Sequence, residues 1–175
     1  MSYFPDVSRW HLSTSAFAES LSEMARDGSC GNEGVALWLG RRADGTAHIT
    51  QVVALRGPGV IKRPRFLRID SCLLNEVADL ARERGLCLVG QIHSHGGRWT
   101  DLSETDRTYG ICVPGYLSIV APGFALESDL SIADCGIHVY EPPHGYRRLP
   151  LPEVRDRVQV VSDDYARLVV VGSGE

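Results

Sequence analysis

His93, His95, Ser103 and Asp106 fall within fourteen positions of the chain. Alternate residues of an extended strand project to one face, so His93 and His95 can offer both imidazoles to a single point. A helix opened by Ser103 carries Asp106 one turn on, where its carboxylate can swing back toward that point. Two histidines and a carboxylate make three zinc ligands, and three protein ligands rather than four is the pattern of a catalytic site that keeps a position open for water.

The elements that must position these groups can be read in order. Residues 9–13 read as a short strand, and Thr14 or Ser15 as the cap of a helix running to about Arg26, with Phe17, Leu21 and Met24 on one face. Asp27-Gly-Ser-Cys-Gly-Asn32 breaks it. Gly34–Gly40 is an apolar run of strand length, Arg41–Gly45 a hairpin turn through Asp-Gly, and 46–55 the antiparallel return. Residues 56–66, rich in glycine, proline and basic side chains, read as an exposed, mobile loop. Asp70 or Ser71 caps a helix with Leu73, Leu74, Val77, Leu80 and Ala81 at helical spacing, ended by Gly85. The buried strand 86–92 then delivers the histidines. Beyond a short helix at Ser103, strands are expected at 116–121 and 135–140, with 146–149 pairing back across the Pro142-Pro143-His144-Gly145 turn and 122–133 irregular. Residues 150–175 are the least patterned, with a strand expected near 157–162 and an apolar Leu168–Val171 before a polar end.

Composition limits the function classes. The 175 residues, 43% hydrophobic and 23% charged, suit one soluble globular domain with a core of its own. A net charge of −4 gives no electrostatic case for nucleic acid, and Arg56–Arg68 is the one basic stretch. Five cysteines, an odd number without a CxxC pair, read as reduced thiols. The N-terminus has neither the basic start nor the apolar run of a signal peptide, and no segment reaches the roughly 18 apolar residues of a membrane span. The expectation is a cytoplasmic protein that binds neither membrane nor nucleic acid.

Ser103-Glu-Thr-Asp106 is also a common capping-box pattern, which by itself calls for no chemistry. The two readings are compatible, because a cap fixes the hydroxyl and carboxylate at a helix start, where an anionic intermediate is favoured. His11, His48, His138 and His144 read as ordinary core or surface residues. Glu33 alone reads as an exposed carboxylate at a strand edge. A zinc hydrolase nevertheless needs a carboxylate beside the metal that does not bind it.

The order Glu, a long gap, His-x-His, seven residues, Ser, two residues, Asp resembles the signature of the JAMM (MPN-plus) metalloproteases. His93-Ser-His95, residues 96–102, Ser103 and Asp106 match it without a gap, and Glu33 followed by an apolar strand ending at Gly40 matches the upstream element. The likeness spans roughly residues 10–150. It departs at Gly96-Gly97, where many members have proline after the second histidine, and at Ala36, where they have glycine. The resemblance implies an α/β (α+β) fold of MPN/cytidine-deaminase type, a single curved mixed sheet flanked by helices. It implies a catalytic domain over 1–150 with 151–175 as a C-terminal extension packed on or trailing it. It makes His93, His95 and Asp106 the ligands of one catalytic Zn2+, Glu33 the general base and acid, and Ser103 the donor to the tetrahedral oxyanion.

The chain resembles the compact prokaryotic branch, which lacks the long insertions of some eukaryotic members. The implied activity is an isopeptidase or peptidase cutting after the C-terminal tail of a ubiquitin-like protein, with that protein, its conjugates and its activating and conjugating enzymes as partners. Processing of a sulfur-carrier precursor or small peptide, and a metal-free scaffold, are the alternatives. Trp99 and the 56–66 loop are candidates to grip the tail, and Trp99 is equally a candidate oligomer contact.

Overall fold

The computed structural model describes residues 7–162 and 166–172. The segment 1–6, read above for its lack of signal-peptide character, lies outside them. Arg9–Ser13 forms β1, and Ser13 caps α1, Thr14–Gly28, its Oγ accepting the Ala16 N–H at 3.0 Å. The cap is therefore not Thr14 or Ser15, because Ser13 is the residue that keeps an extended backbone while its hydroxyl reaches the first turn. The helix also runs past Arg26 to Gly28.

Val35–Ala43 (β2) and Thr46–Leu55 (β3) pair antiparallel. They turn through Asp44 and Gly45, whose φ values of 49° and 73° are those of a tight two-residue hairpin loop. Gly40 does not end its strand. It sits at an irregularity in the β2–β3 pairing, where any Cβ would strike the His48 carbonyl.

The stretch 56–66 is not an open loop. Val60–Arg63 (β4) and Phe66–Ile69 (β5) form a separate two-stranded hairpin around Pro64-Arg65. Composition misleads here because glycine, proline and arginine are concentrated at the flanks and the turn, while Val60, Leu67 and Ile69 pack with the apolar residues of the next helix. That helix, α2 (Ser71–Glu83), is capped by the Asp70 carboxylate at 2.8 Å from the Leu73 N–H and is followed by Gly85 at φ 63°.

Cys87–Ser94 is β6, Glu104–Thr108 the short α3, and Leu117–Ala121 β7. Two single-turn 3-10 segments, Gly123–Ala125 and Ile132–Asp134, precede β8 (Gly136–Glu141) and β9 (Gly145–Arg148). Leu151–Arg157 is a further helix, α4, that sequence patterning did not reveal; β10 (Val158–Val161) and β11 (Arg167–Val171) follow.

Nine strands form one mixed sheet in the order β10-β1-β3-β2-β6-β7-β8-β9, with β11 pairing onto β3 beyond β1. Both faces are covered. Ala36 and Trp38 of β2 point to a core shared with Phe17 and Met24 of α1, whereas Val35, Leu37 and Leu39 point to a second core under Leu73, Val77 and Ala81 of α2. A sheet buried on both faces needs near-continuous apolar strands, which is why β2 reads as an unbroken hydrophobic run rather than an alternation. The α+β class with one mixed sheet flanked by helices is the fold expected from the sequence.

Candidate metal centre

β6 lies antiparallel to β2 on one side and parallel to β7 on the other, so the C-terminal end of β6 is a point where strand direction switches. Ligand sites in open mixed sheets tend to gather at such ends. The pairing register puts Val35 opposite His93, and Glu33 lies two residues before Val35 at the same end of the sheet. Ser94, between the two histidines, points to the other face. There its Oγ accepts the Gly34 N–H and its own N–H donates to the Gly34 carbonyl, both at 3.0 Å. The residue between the histidines therefore ties the Glu33 segment to the histidine strand.

His93 and His95 are buried and Asp106 is nearly so. His93 Nε2 and His95 Nε2 are 3.3 Å apart, His95 Nε2 and Asp106 Oδ2 3.3 Å, and His93 Nε2 and Asp106 Oδ2 3.5 Å. A tetrahedral ion with bonds of about 2.0–2.1 Å separates its ligand atoms by about 3.3–3.4 Å. The triangle has those dimensions.

Hydrogen bonding around it supplies a chemical reason for a cation. His95 Nδ1 is 3.1 Å from the Trp99 carbonyl, which can only accept, so Nδ1 carries the hydrogen and Nε2 of the neutral ring presents a bare lone pair. Asp106 Oδ2 already accepts from the Ser103 N–H at 2.8 Å and the Ser103 Oγ–H at 2.7 Å. Lone pairs facing one another in a buried site require a positive charge between them, from a metal ion or from protons. Among the described residues, these three form the one cluster of histidine, cysteine and acidic side chains arranged to hold a metal ion.

The ionisation of the site follows from the same contacts. For Asp106, burial favours the neutral acid, but the two histidines and Ser103 outweigh it and hold the carboxyl far below the usual carboxylate range. For His95, burial disfavours the cation, yet the Asp106 carboxylate, the Trp99 carbonyl and Glu33 together raise the ring above its ordinary value. Glu33 is raised to about 7, chiefly by burial and also by the Asp106 charge, against the opposing pull of His95 and Arg65. A carboxyl at that value exchanges protons near neutral pH.

Glu33, His95, Ser103 and Asp106 line one cavity of about 510 Å³. Its far wall is the tip of the β4–β5 hairpin, Pro64 to Leu67, and the Glu33 N–H is held by the Arg63 carbonyl at 3.0 Å. Trp99 stacks on His95 with ring centroids 5.3 Å apart and planes 12° from parallel, while remaining 58% exposed. Phe124 packs on Gly96, where a Cβ would enter its ring. This accounts for glycine after the second histidine. The structure thus gathers Glu33, His93, His95, Ser103 and Asp106 at one end of the sheet.

Sequence reading missed the Trp99 carbonyl, the hairpin wall and Phe124. The first is a backbone atom and carries no residue signal. The hairpin could have been found from the alternation of Val60 to Arg63 and Phe66 to Ile69 across Pro64-Arg65. His138 is a core residue, fully buried, with Nε2 2.8 Å from Asp101 Oδ1 in the loop leading to Ser103. No helix among the described residues is long and apolar enough to cross a membrane.

No protein-family model matches the chain. In solved structures it is similar to protein DSY2949 from Desulfitobacterium hafniense, with a TM-score of 0.65 over 88% of this chain and 94% of that one, at 17% identity; this is a likeness of fold. Among curated proteins it is 33% identical over 136 residues to the probable metalloprotease y4jG of Sinorhizobium fredii (strain NBRC 101917 / NGR234), covering 73% of this chain and 79% of the relative. Over that extent and identity, and with three ligand atoms converging at the end of β6, the chain belongs to a metalloprotease family.

Proposed function

We propose that this protein is a zinc-dependent isopeptidase or peptidase of the JAMM type that cuts after the C-terminal tail of a ubiquitin-like protein. The observation that carries the reading is the convergence of His93 Nε2, His95 Nε2 and Asp106 Oδ2 beside a buried Glu33 that does not belong to the ligand triangle. His93, His95 and Asp106 would hold one Zn2+, which when bound polarises a carbonyl and lowers the pKa of water to about 7.

The chain's own groups then divide the work. Glu33, buried beside the ligand triangle without belonging to it, takes the proton of the attacking water as the new C–O bond forms. It returns that proton to the amine nitrogen as the C–N bond breaks. Ser103 Oγ–H is bonded to Asp106 in the resting site, and a turn about Cβ–Oγ brings the same hydrogen to the developing oxyanion. The Trp99 carbonyl keeps His95 in the tautomer that leaves Nε2 free.

The tail of a ubiquitin-like protein is extended and often ends in glycine. The cavity suits such a chain, being walled by a hairpin that offers backbone edges and floored by Gly96-Gly97. Strand addition to that hairpin grips a backbone without demanding particular side chains. The partners on this reading are a ubiquitin-like protein, its conjugates and the enzymes that activate and attach it.

The test is incubation of zinc-loaded protein with ubiquitin-like fusions and conjugates, followed by mass spectrometry of the cut. Release of an intact tail with a lysine amine or a new N-terminus is expected. Cleavage restricted to a sulfur-carrier precursor or a short peptide would reassign the substrate, and protein that takes up no stoichiometric zinc would be a scaffold.

A further inference from the structure

The loop 99–103 supplies the site with a carbonyl at Trp99, a hydroxyl at Ser103 and the approach to Asp106; its two ends are bonded to His95 and Asp106, and its middle, Thr100 to Leu102, is held by residues that are not metal ligands. The side chains that hold this middle come from β8 and β9 at the sheet's far edge and from Arg107 of α3. Asp101 Oδ1 receives His138 Nε2 of β8 at 2.8 Å, the Leu102 N–H at 2.8 Å and Arg107 Nη2 at 3.0 Å. Arg107 Nη1 in turn donates to the Tyr146 carbonyl at 3.0 Å, and Arg148 Nη2 donates to Thr100 Oγ1 at 3.0 Å. The Thr100 carbonyl lies so close over Gly136 that no Cβ fits there. An ionised carboxylate only accepts, so His138 Nε2 carries the hydrogen it gives to Asp101.

We propose that Asp101 and His138 are a positioning pair that clamps the 99–103 loop onto β8, and so fixes the Trp99 carbonyl and the Asp106 carboxylate on either side of the His95 ring. The inference rests on the metal-centre reading above. His138 is fully buried within the sheet, whereas Asp101 is more than a third exposed, so the bond between them ties a surface loop to the core. Removing either partner loosens the middle of the loop, which is left tied to the sheet by the Arg148–Thr100 bond. The His95 tautomer then loses its fixed carbonyl, and Asp106 loses the register of its helix start.

Cobalt(II) titration of metal-free protein, followed by its visible absorption and by competition with a chelator, tests the pair without any substrate. Wild-type protein is expected to bind one Co2+ per chain. Asp101→Ala and His138→Phe are each expected to weaken binding about tenfold, the low end for groups that orient ligands from behind. The double variant should be no weaker than either single, since the two act as one unit. Asp101→Asn, which retains the Oδ1 acceptor, should recover most of the affinity. Denaturant unfolding of the metal-free variants separates the two causes: cobalt affinity that falls in Asp101→Ala while unfolding stays near wild type is expected, and affinity that falls only in step with stability would overturn the pair.

Wild-type affinity in Asp101→Ala, additive losses in the double variant, or Asn no better than Ala would each overturn the pair while leaving the metal centre standing. Wild-type protein that binds no cobalt would overturn both. If His138→Phe fails to fold, the comparison of Asp101→Ala with Asp101→Asn decides the matter at a part-exposed position.

Discussion

The chain contains the pattern Ser-x-x-Asp twice in nearly identical geometry. At Ser103–Asp106 the aspartate accepts from the serine N–H at 2.8 Å and its Oγ–H at 2.7 Å; at Ser131–Asp134 the same two bonds are 2.8 Å and 2.6 Å. Both are capping boxes at the start of a short helical turn. The second stands at the surface, and its carboxyl is lowered only by the serine beside it. The first is laid against the end of β6, where two histidines lower its carboxyl much further. A capping box is therefore a local device, and what it is used for depends on which strand end it faces.

The largest contrast is expected between the two aspartates. Asp106→Ala should lose stoichiometric zinc and all cleavage together, while Asp134→Ala should leave both unchanged; metal analysis of the purified variants with a fusion-cleavage assay checks this. Equal zinc in the two variants would remove Asp106 from the ligand set.

Glu33→Gln tests the group that the second capping box lacks. Turnover should fall by about 10²–10⁴, the usual contribution of a positioned general base, with zinc content retained. Cleavage at near the wild-type rate would show that another group moves the proton.

Next come the serines. Ser103→Ala should lower kcat by about 10², in the range for loss of one oxyanion donor, with a smaller effect on KM. Ser131→Ala should leave kcat untouched and cost at most about 1 kcal/mol of stability as a lost cap. Equal effects on kcat would mean that Ser103 is only a cap.

The smallest effect is on the metal-free protein. Glu33 is raised from an ordinary 4.5 to about 7, so between these values the folded state holds a proton that the unfolded chain has released. Its contribution to stability is intact below about pH 4.5 and is lost as pH rises toward 7, a penalty on the order of 3 kcal/mol once the buried carboxyl is charged. Metal-free Glu33→Gln should therefore match wild type at pH 5 and exceed it at pH 8 in denaturant unfolding. A difference independent of pH would assign the effect to packing rather than charge.

Much of the site was legible because its chemistry is local. Alternation along β6 puts His93 and His95 on one face, and the helix start at Ser103 returns Asp106 to it; both depend only on residues within fourteen positions of one another. The fold class was legible for a similar reason, since apolar runs, the Asp44-Gly45 turn and the α2 cap are short-range signals. The 56–66 segment was not, because its glycine, proline and basic residues outweighed a weak alternation. Nor was α4, which is only a turn or two long and begins with proline at its second residue.

The sequence by itself determined the local chemistry at His93, His95, Ser103 and Asp106, because strand alternation and helix capping are set by neighbouring residues. Only the tertiary structure decided how the Ser103–Asp106 box is seated, with Asp106 Oδ2 3.3 Å from His95 Nε2 and 3.5 Å from His93 Nε2. It also decided that Glu33 is brought in through the Val35–His93 register, that a backbone carbonyl at Trp99 selects the His95 tautomer, and that a hairpin closes the cavity. Those relations depend on pairing across some sixty residues and on main-chain atoms common to every residue type, so side-chain pattern alone does not encode them in readable form.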